Sequence, residues 1–294
     1  MKKIQSLLLI FISISISNAQ SKVIESLNMD SNLLNTSVKY SVYLPDGYDD
    51  SKDKYPIVYL LNGFTGDETD WHMEGLLTDI VNLLIKAKKI EPMIIVMPDG
   101  DDRLYINKGD GTYPYEDMFI TEFLPFIEAK YKVKDEKKYR GISGLSMGGN
   151  GSLRLTLKHH NLFGVCASFS SSLKTDEEII NDSQEHFDNY FGRISPEVKG
   201  EKGKVRLTDA IKEFNLFELI EKKDPKLLKT VDIYFDCGDD DFLTIGNSTM
   251  HIELTKKGIP HEYRVRDGGH TWNFWIDSLP IGLEFISESM HKDN

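Results

Sequence analysis

The sequence predicts one α/β domain: a mostly parallel, eight-stranded sheet with helices on both faces and an insertion after the sixth strand. Three observations carry this. Short β-branched and aromatic runs alternate with amphipathic helical patterns, which is the arrangement of strand–helix–strand units. Several runs are apolar without a break, such as Ile57-Val58-Tyr59-Leu60-Leu61 and Met93-Ile94-Ile95-Val96-Met97. Strands covered on both faces require such runs. The 294 residues, 40% hydrophobic and 28% charged, supply the apolar mass for a single large core. No internal repeat of the length found in solenoids or propellers is visible.

The N-terminus reads as a separate object. Lys2 and Lys3 precede an apolar stretch at 7–16, and Ser17-Asn18-Ala19 places small residues where a signal peptidase cuts. Residues 1–19 are expected to leave before Gln20, and 20–294 to form the domain. The apolar stretch is too short to span a bilayer, and no cysteine follows it to carry a lipid.

Strand signals then fall at 22–29 and 37–44, expected as an antiparallel opening pair, and at 56–61. A helix is predicted over 76–88, with apolar residues at 76, 77, 80, 81, 84 and 85. The fourth strand, 93–97, ends in the polar loop Asp99-Gly100-Asp101-Asp102. A helix at 116–131, a strand at 138–143, a helix at 150–160 and a strand at 165–170 follow. Residues 171–230 are too long and too charged for a simple crossover. They hold Phe187, Tyr190 and Phe191, a Gly/Lys-rich piece at 199–204 and a helix-like 207–221. This stretch is expected to form a cap over the site, with a plain surface excursion as the alternative. Strands at 231–237 and 261–266 and helices at 245–257 and 272–290 complete the chain.

The net charge of −12 becomes −14 once Lys2 and Lys3 are removed. Such a surface disfavours nucleic acid and anionic membranes as partners and suits neutral sugars or small esters. The two cysteines, Cys166 and Cys237, sit near opposite ends of their predicted strands. Neighbouring parallel strands would hold them beyond disulfide reach, so two free, buried thiols are expected.

Chemistry enters at Gly144-Leu145-Ser146-Met147-Gly148. The motif lies between a predicted strand and a predicted helix, the setting of a nucleophile elbow. Ser146 would sit at the apex of a sharp turn, at the positive end of the following helix. An acid is then needed after the seventh strand and a histidine after the eighth, in that chain order. Gly238-Asp239-Asp240-Asp241-Phe242-Leu243 and Asp267-Gly268-Gly269-His270-Thr271-Trp272 occupy those places. Ser146 is thus the predicted nucleophile and His270 its general base, with a carboxylate holding the imidazole. The oxyanion would be held by the backbone N–H of Met147 and by the loop Leu61-Asn62-Gly63-Phe64, through the N–H of Phe64. Consecutive aspartates lack the spacing of calcium loops, and no metal or other cofactor is predicted. Among aromatic residues near these loops, Trp71, Tyr105, Trp272 and Phe242 are expected to line a substrate cleft, and Trp275 to pack in the core.

At these residues the chain resembles the esterase family of α/β hydrolases, which includes feruloyl and acetylxylan esterases, S-formylglutathione hydrolases and mycolyltransferases. The resemblance runs through Tyr43-Leu44-Pro45-Asp46-Gly47-Tyr48, Tyr59-Leu60-Leu61-Asn62-Gly63, Gly66-Asp67-Glu68-Thr69-Asp70-Trp71, the elbow, Cys237-Gly238-x-x-Asp241 and Gly268-Gly269-His270-Thr271-Trp272. It implies an α/β-hydrolase fold and places the triad acid on Asp241 and the second oxyanion amide on Phe64. It implies ester hydrolysis through an acyl-serine, on cinnamoyl or acetyl esters of sugars or other small acyl esters. A thioesterase or an acyltransferase uses the same chemistry, and a carbohydrate-binding pseudoenzyme is the non-enzymatic alternative. One departure stands out: Asn62 occupies a position where many members carry histidine.

Overall fold

The structure, a computed structural model, describes residues 20–292 apart from 109–110. The predicted leader, 1–19, lies outside the described residues. Eight strands form one sheet in the order β1-β2-β4-β3-β5-β6-β7-β8. They are β1 (Lys22–Ser31), β2 (Thr36–Leu44), β3 (Ile57–Leu61), β4 (Ile94–Pro98), β5 (Arg140–Leu145), β6 (Val165–Phe169), β7 (Asp232–Gly238) and β8 (Glu262–Arg266). β1 pairs antiparallel with β2, and β2 with β4. All other neighbours are parallel.

The uninterrupted apolar runs are the central strands. Every residue of β3, β4, β5 and β6 is buried. Their side chains alternate between two cores. Ile57, Tyr59 and Leu61 point into one, and Val58 and Leu60 into the other. The first core is closed by the helix Ser146–Lys158, the segment 115–130 and the insertion. The second is closed by Leu77–Lys86 and Trp272–His291. None of the described helices is long and apolar enough to cross a membrane.

Two expected helices are broken. The one predicted over 116–131 runs as Tyr115–Met118, a π-helical turn Phe119–Phe123 and Leu124–Lys130. Pro125 has no N–H to bond to the carbonyl of residue 121, and the widened turn absorbs that gap. The one predicted over 207–221 splits into Asp209–Phe214 and Phe217–Lys222. Asn215 turns its side-chain amide onto both backbone groups of Lys174, and Leu216 takes a φ of +27°. A helix cannot run through that geometry. The helix expected at 150 starts earlier, at Ser146, because Gly148, Gly149 and Gly151 hid its first turns.

Cys166 lies opposite Ile233 in the β6–β7 pairing, which leaves Cys237 further along its strand. Both thiols are free and buried, as the strand positions predicted.

Candidate active site

The β5 strand turns into its helix at Ser146, whose φ is +53°. A serine in this left-handed region is strained. The turn closes because Gly144 and Gly148 lack side chains. A Cβ on Gly144 would lie 2.5 Å from the Gly148 carbonyl oxygen, and one on Gly148 would lie 2.5 Å from that of Asn62. The serine hydroxyl is thereby thrust above the C-terminal edge of the sheet.

Two neighbouring strand ends deliver its partners. His270 follows β8, and its Nε2 lies 2.9 Å from Ser146 Oγ. Asp241 follows β7, and its Oδ2 lies 2.8 Å from His270 Nδ1. The hydroxyl, imidazole and carboxylate form one hydrogen-bonded chain. Burial pushes the Asp241 carboxyl up, but hydrogen bonds from His270 and from the Leu243 N–H outweigh it and hold the group below the usual carboxylate range. The carboxylate is therefore present as an anion beside the ring.

The three consecutive aspartates do different things. Asp241 is buried, whereas Asp239 and Asp240 are exposed. Asp239 Oδ1 accepts from the Gly268 N–H at 3.1 Å, and the Asp240 N–H donates to the Gly268 carbonyl at 3.0 Å. These bonds clamp the loop that carries Asp241 to the loop that carries His270. On the surface the carboxylates of Asp239, Asp240 and Asp267 come within 4.8 Å of one another.

The expected oxyanion donors flank the serine. Met147 lies in the first turn of the helix, where backbone N–H groups have no intrahelical acceptor. Phe64 and Gly63 line the same cleft as Ser146, and no hydrogen bond among the described residues occupies the Phe64 N–H. A Cβ on Gly63 would lie 3.8 Å from the Cβ of Ser146.

The cleft above the serine has a volume of about 600 Å³. Trp272 and Phe242 line it, as expected. Trp71 and Tyr105 do not. Trp71 is 1% exposed, donates from Nε1 to the Leu61 carbonyl at 3.0 Å and meets Trp272 edge-on at 5.4 Å. It is the support under the cleft wall, placed there because its indole N–H finds a strand-end carbonyl. Tyr105 is fully buried, and its hydroxyl donates to Asn62 Oδ1 at 2.6 Å. Its loop carries it against Asn62 at the end of β3 instead of into the opening.

Trp275, expected in the core, lines the cleft as well. It stands edge-on to the His270 ring at 4.9 Å, while Phe242 covers the ring from another side at 4.7 Å. Its spacing of three from Trp272 on one helix is a signal that placed both on one face. Asp70 and Glu74, and Lys174, His186 and Tyr190 from the insertion, also line the cleft. Asp70 belongs to the motif at 66–71 but was not singled out as a site residue, and the other four carried no motif.

Comparison with known proteins gives one consistent answer. A family profile described as "Putative esterase" matches residues 31–286. The chain is similar to an acetyl esterase of Caldicellulosiruptor saccharolyticus, at 25% identity over 90% of this chain and 98% of that one. It is 34% identical to an endo-1,4-beta-xylanase/feruloyl esterase of Xylanibacter ruminicola over 47% of this chain, which is 20% of that larger protein. Among solved structures, a ferulic acid esterase superposes with a TM-score of 0.78 at 30% identity, covering 92% of this chain and all of that one.

Proposed function

The chain belongs to the esterase family and is an enzyme acting on carboxylic esters; from that premise we propose that it is an exported serine esterase working through an acyl-serine on acetyl or feruloyl-type esters of carbohydrates. The observation that carries the serine mechanism is the continuous bond chain from Ser146 to His270 to Asp241, at 2.9 and 2.8 Å, at the floor of an open cleft.

In this reading His270 Nε2 takes the Ser146 proton as Oγ attacks the ester carbonyl. Asp241 keeps Nδ1 protonated and offsets the charge of the imidazolium. The tetrahedral oxyanion is held by the N–H groups of Met147 and Phe64, each contributing roughly 3 kcal/mol in the transition state. His270 returns the proton to the leaving alcohol, and water then repeats the sequence on the acyl-enzyme.

The cleft and the relatives together support this substrate class. Phe242, Trp272, Trp275 and Tyr190 offer faces and edges for an aryl or sugar ring. Asp70 and Glu74 offer acceptors for sugar hydroxyls. The acetyl and ferulic acid esterases that the chain resembles are named for such esters. Residues 171–230 would act as the cap that contributes His186 and Tyr190 to the wall. Export rests on the leader pattern at 1–19, and sequencing of the secreted protein should begin at Gln20.

The test is turnover of p-nitrophenyl acetate by the purified protein and by Ser146→Ala. Equal rates from the two would falsify the serine mechanism. Methyl ferulate, acetylated xylan and S-formylglutathione, compared by kcat/KM, would then rank the acyl and alcohol groups. Preference for the last would replace the carbohydrate reading with a thioesterase.

A further inference from the structure

The residue that departs from the family pattern, Asn62, sits at the centre of a buried network that no motif announced. It follows β3 directly and is 1% exposed. Its Nδ2 donates to the Gly63 carbonyl at 3.0 Å. Its Oδ1 accepts from the Gly100 N–H at 3.0 Å and from the Tyr105 hydroxyl at 2.6 Å. The side chain therefore ties the oxyanion strand end to the loop after β4.

The bond to the Gly63 carbonyl has a consequence for Phe64. That carbonyl and the Phe64 N–H belong to one peptide unit, which is trans. In a planar trans peptide the two groups point in opposite directions. Fixing the carbonyl on the buried side thus aims the N–H outward, toward the cleft that holds Ser146. The Gly66 N–H adds a second bond to the same carbonyl at 3.2 Å.

Tyr105 is held in place by packing on both sides. Its ring fills the space that a Cβ on Gly151 would occupy, 2.7 Å away, and the hydroxyl lies 2.6 Å from such an atom on Gly100. Asp101, Asp102, Leu104 and Tyr105 all have positive φ, between +44° and +59°. Each such residue costs of order 1 kcal/mol or more, so the surrounding packing holds the loop in this shape.

We propose that Asn62 and Tyr105 are positioning residues that orient the Phe64 N–H as an oxyanion donor. Neither touches substrate. Asn62 holds the peptide, and Tyr105 with Gly100 holds Asn62. The proposal rests on the acyl-serine reading and adds to it the device that preorganises one half of the oxyanion site. The amide offers donor and acceptor in the same side chain, and both are used here.

The experiment compares wild type, Tyr105→Phe and Asn62→Asp at pH 8. The carboxyl introduced by Asn62→Asp accepts from Gly100 and Tyr105 as the amide does but, once ionised, cannot donate to the Gly63 carbonyl, so a rate that falls further from about pH 7 to about pH 9 in this variant than in wild type marks the lost bond. Removing an oxyanion donor costs about 10²–10³ in kcat. Asn62→Asp should approach that range, at about 10²-fold, and Tyr105→Phe should lose about 10-fold, each with KM within about twofold of wild type. A phenylboronic acid, which forms a tetrahedral serine adduct with an oxygen in the same site, should lose affinity by the factor that kcat/KM loses. A purely structural role would lower the melting temperature without that parallel. A kcat within about threefold of wild type in both variants, or a fallen kcat with boronate affinity unchanged, would overturn the proposal. Absence of Ser146-dependent turnover in wild type is a failure of the acyl-serine reading instead. In that case a crystal structure of Asn62→Asp still decides: the 63–64 peptide is expected to rotate, and an unrotated peptide refutes the positioning role.

Discussion

The two halves of the cleft are built by different physics. Ser146, Asp241 and His270 stand at the C-terminal ends of β5, β7 and β8, where parallel pairing fixes relative height. Leu145 lies opposite Phe169, Phe169 opposite Asp236, and Gly238 opposite Arg266. Backbone hydrogen bonds therefore bring three distant residues to one rim. The insertion has no such frame: no helix between β6 and β7 exceeds six residues. Its order comes from side chains. Arg206, 1% exposed, donates to the carbonyls of Glu201, Ile179, Ile180 and Asp182 and to Gln184. Its guanidinium also lies 4.2 Å over the Phe187 ring. Substitutions should therefore separate the two: chemistry is expected to fail first in the strand-end half, and shape in the insertion.

The largest effect should come from the strand-end half. Asp241→Asn keeps the volume but favours the wrong imidazole tautomer, and kcat should fall by about 10⁴. Asp239→Asn keeps an acceptor for the Gly268 N–H and should leave kcat nearly unchanged. Steady-state rates on p-nitrophenyl acetate check the pair. The reverse order would move the triad acid two residues upstream.

Next in size is the insertion. Arg206→Ala strands several buried carbonyls and empties the space over Phe187, at a cost of about 3 kcal/mol. Urea unfolding should lose that much stability, and proteolysis should cut first within 171–230. KM for bulky esters should rise, while a fluorophosphonate should still label Ser146. Loss of labelling together with the order of the insertion would show that the halves fold as one unit.

The same contrast explains what could be read in advance. All eight strands, and the serine and histidine at their ends, were legible, because a strand's apolar run and a turn glycine are local patterns; the choice of Asp241 among three consecutive aspartates came from the family resemblance. So were the helices Leu77–Lys86 and Trp272–His291, whose one-sided packing writes a 3.6-residue period. The fates of Trp71 and Tyr105 were not legible. Both are aromatic residues near site loops, and only the partner atoms, the Leu61 carbonyl and Asn62 Oδ1, turn them inward. Asn215 broke a predicted helix for the same reason, by bonding to Lys174, 41 residues away. Lys174, His186 and Tyr190 reach the cleft through such convergences, which no spacing in the sequence records.

The smallest effect uses pH to separate the halves again. In the insertion, burial pushes the Asp182 carboxyl up, but hydrogen bonds from His186 and Lys174 prevail and hold it below its ordinary 3.8. A depressed carboxylate stabilises above that value, and the contribution is lost as pH falls from it through the lowered folded-state value. On the strand-end side, burial pushes Asp99 up to about 6, against a bond from the Asp101 N–H and with Glu68, Asp101 and Asp67 adding repulsion. A raised carboxyl has the opposite sign: its contribution is intact below 3.8 and is lost as pH climbs through about 6. Asp99→Asn keeps the acceptor for Asp101 and removes the titration. It should therefore stabilise the protein at pH 7, by about 1 kcal/mol once solvent screening of a half-buried group is allowed for. The gain should vanish near pH 4, where Asp99 is already neutral. Melting temperatures of wild type and variant across that range give the measurement. An equal gain at both ends would mean that the substitution acts through something other than the charge of Asp99.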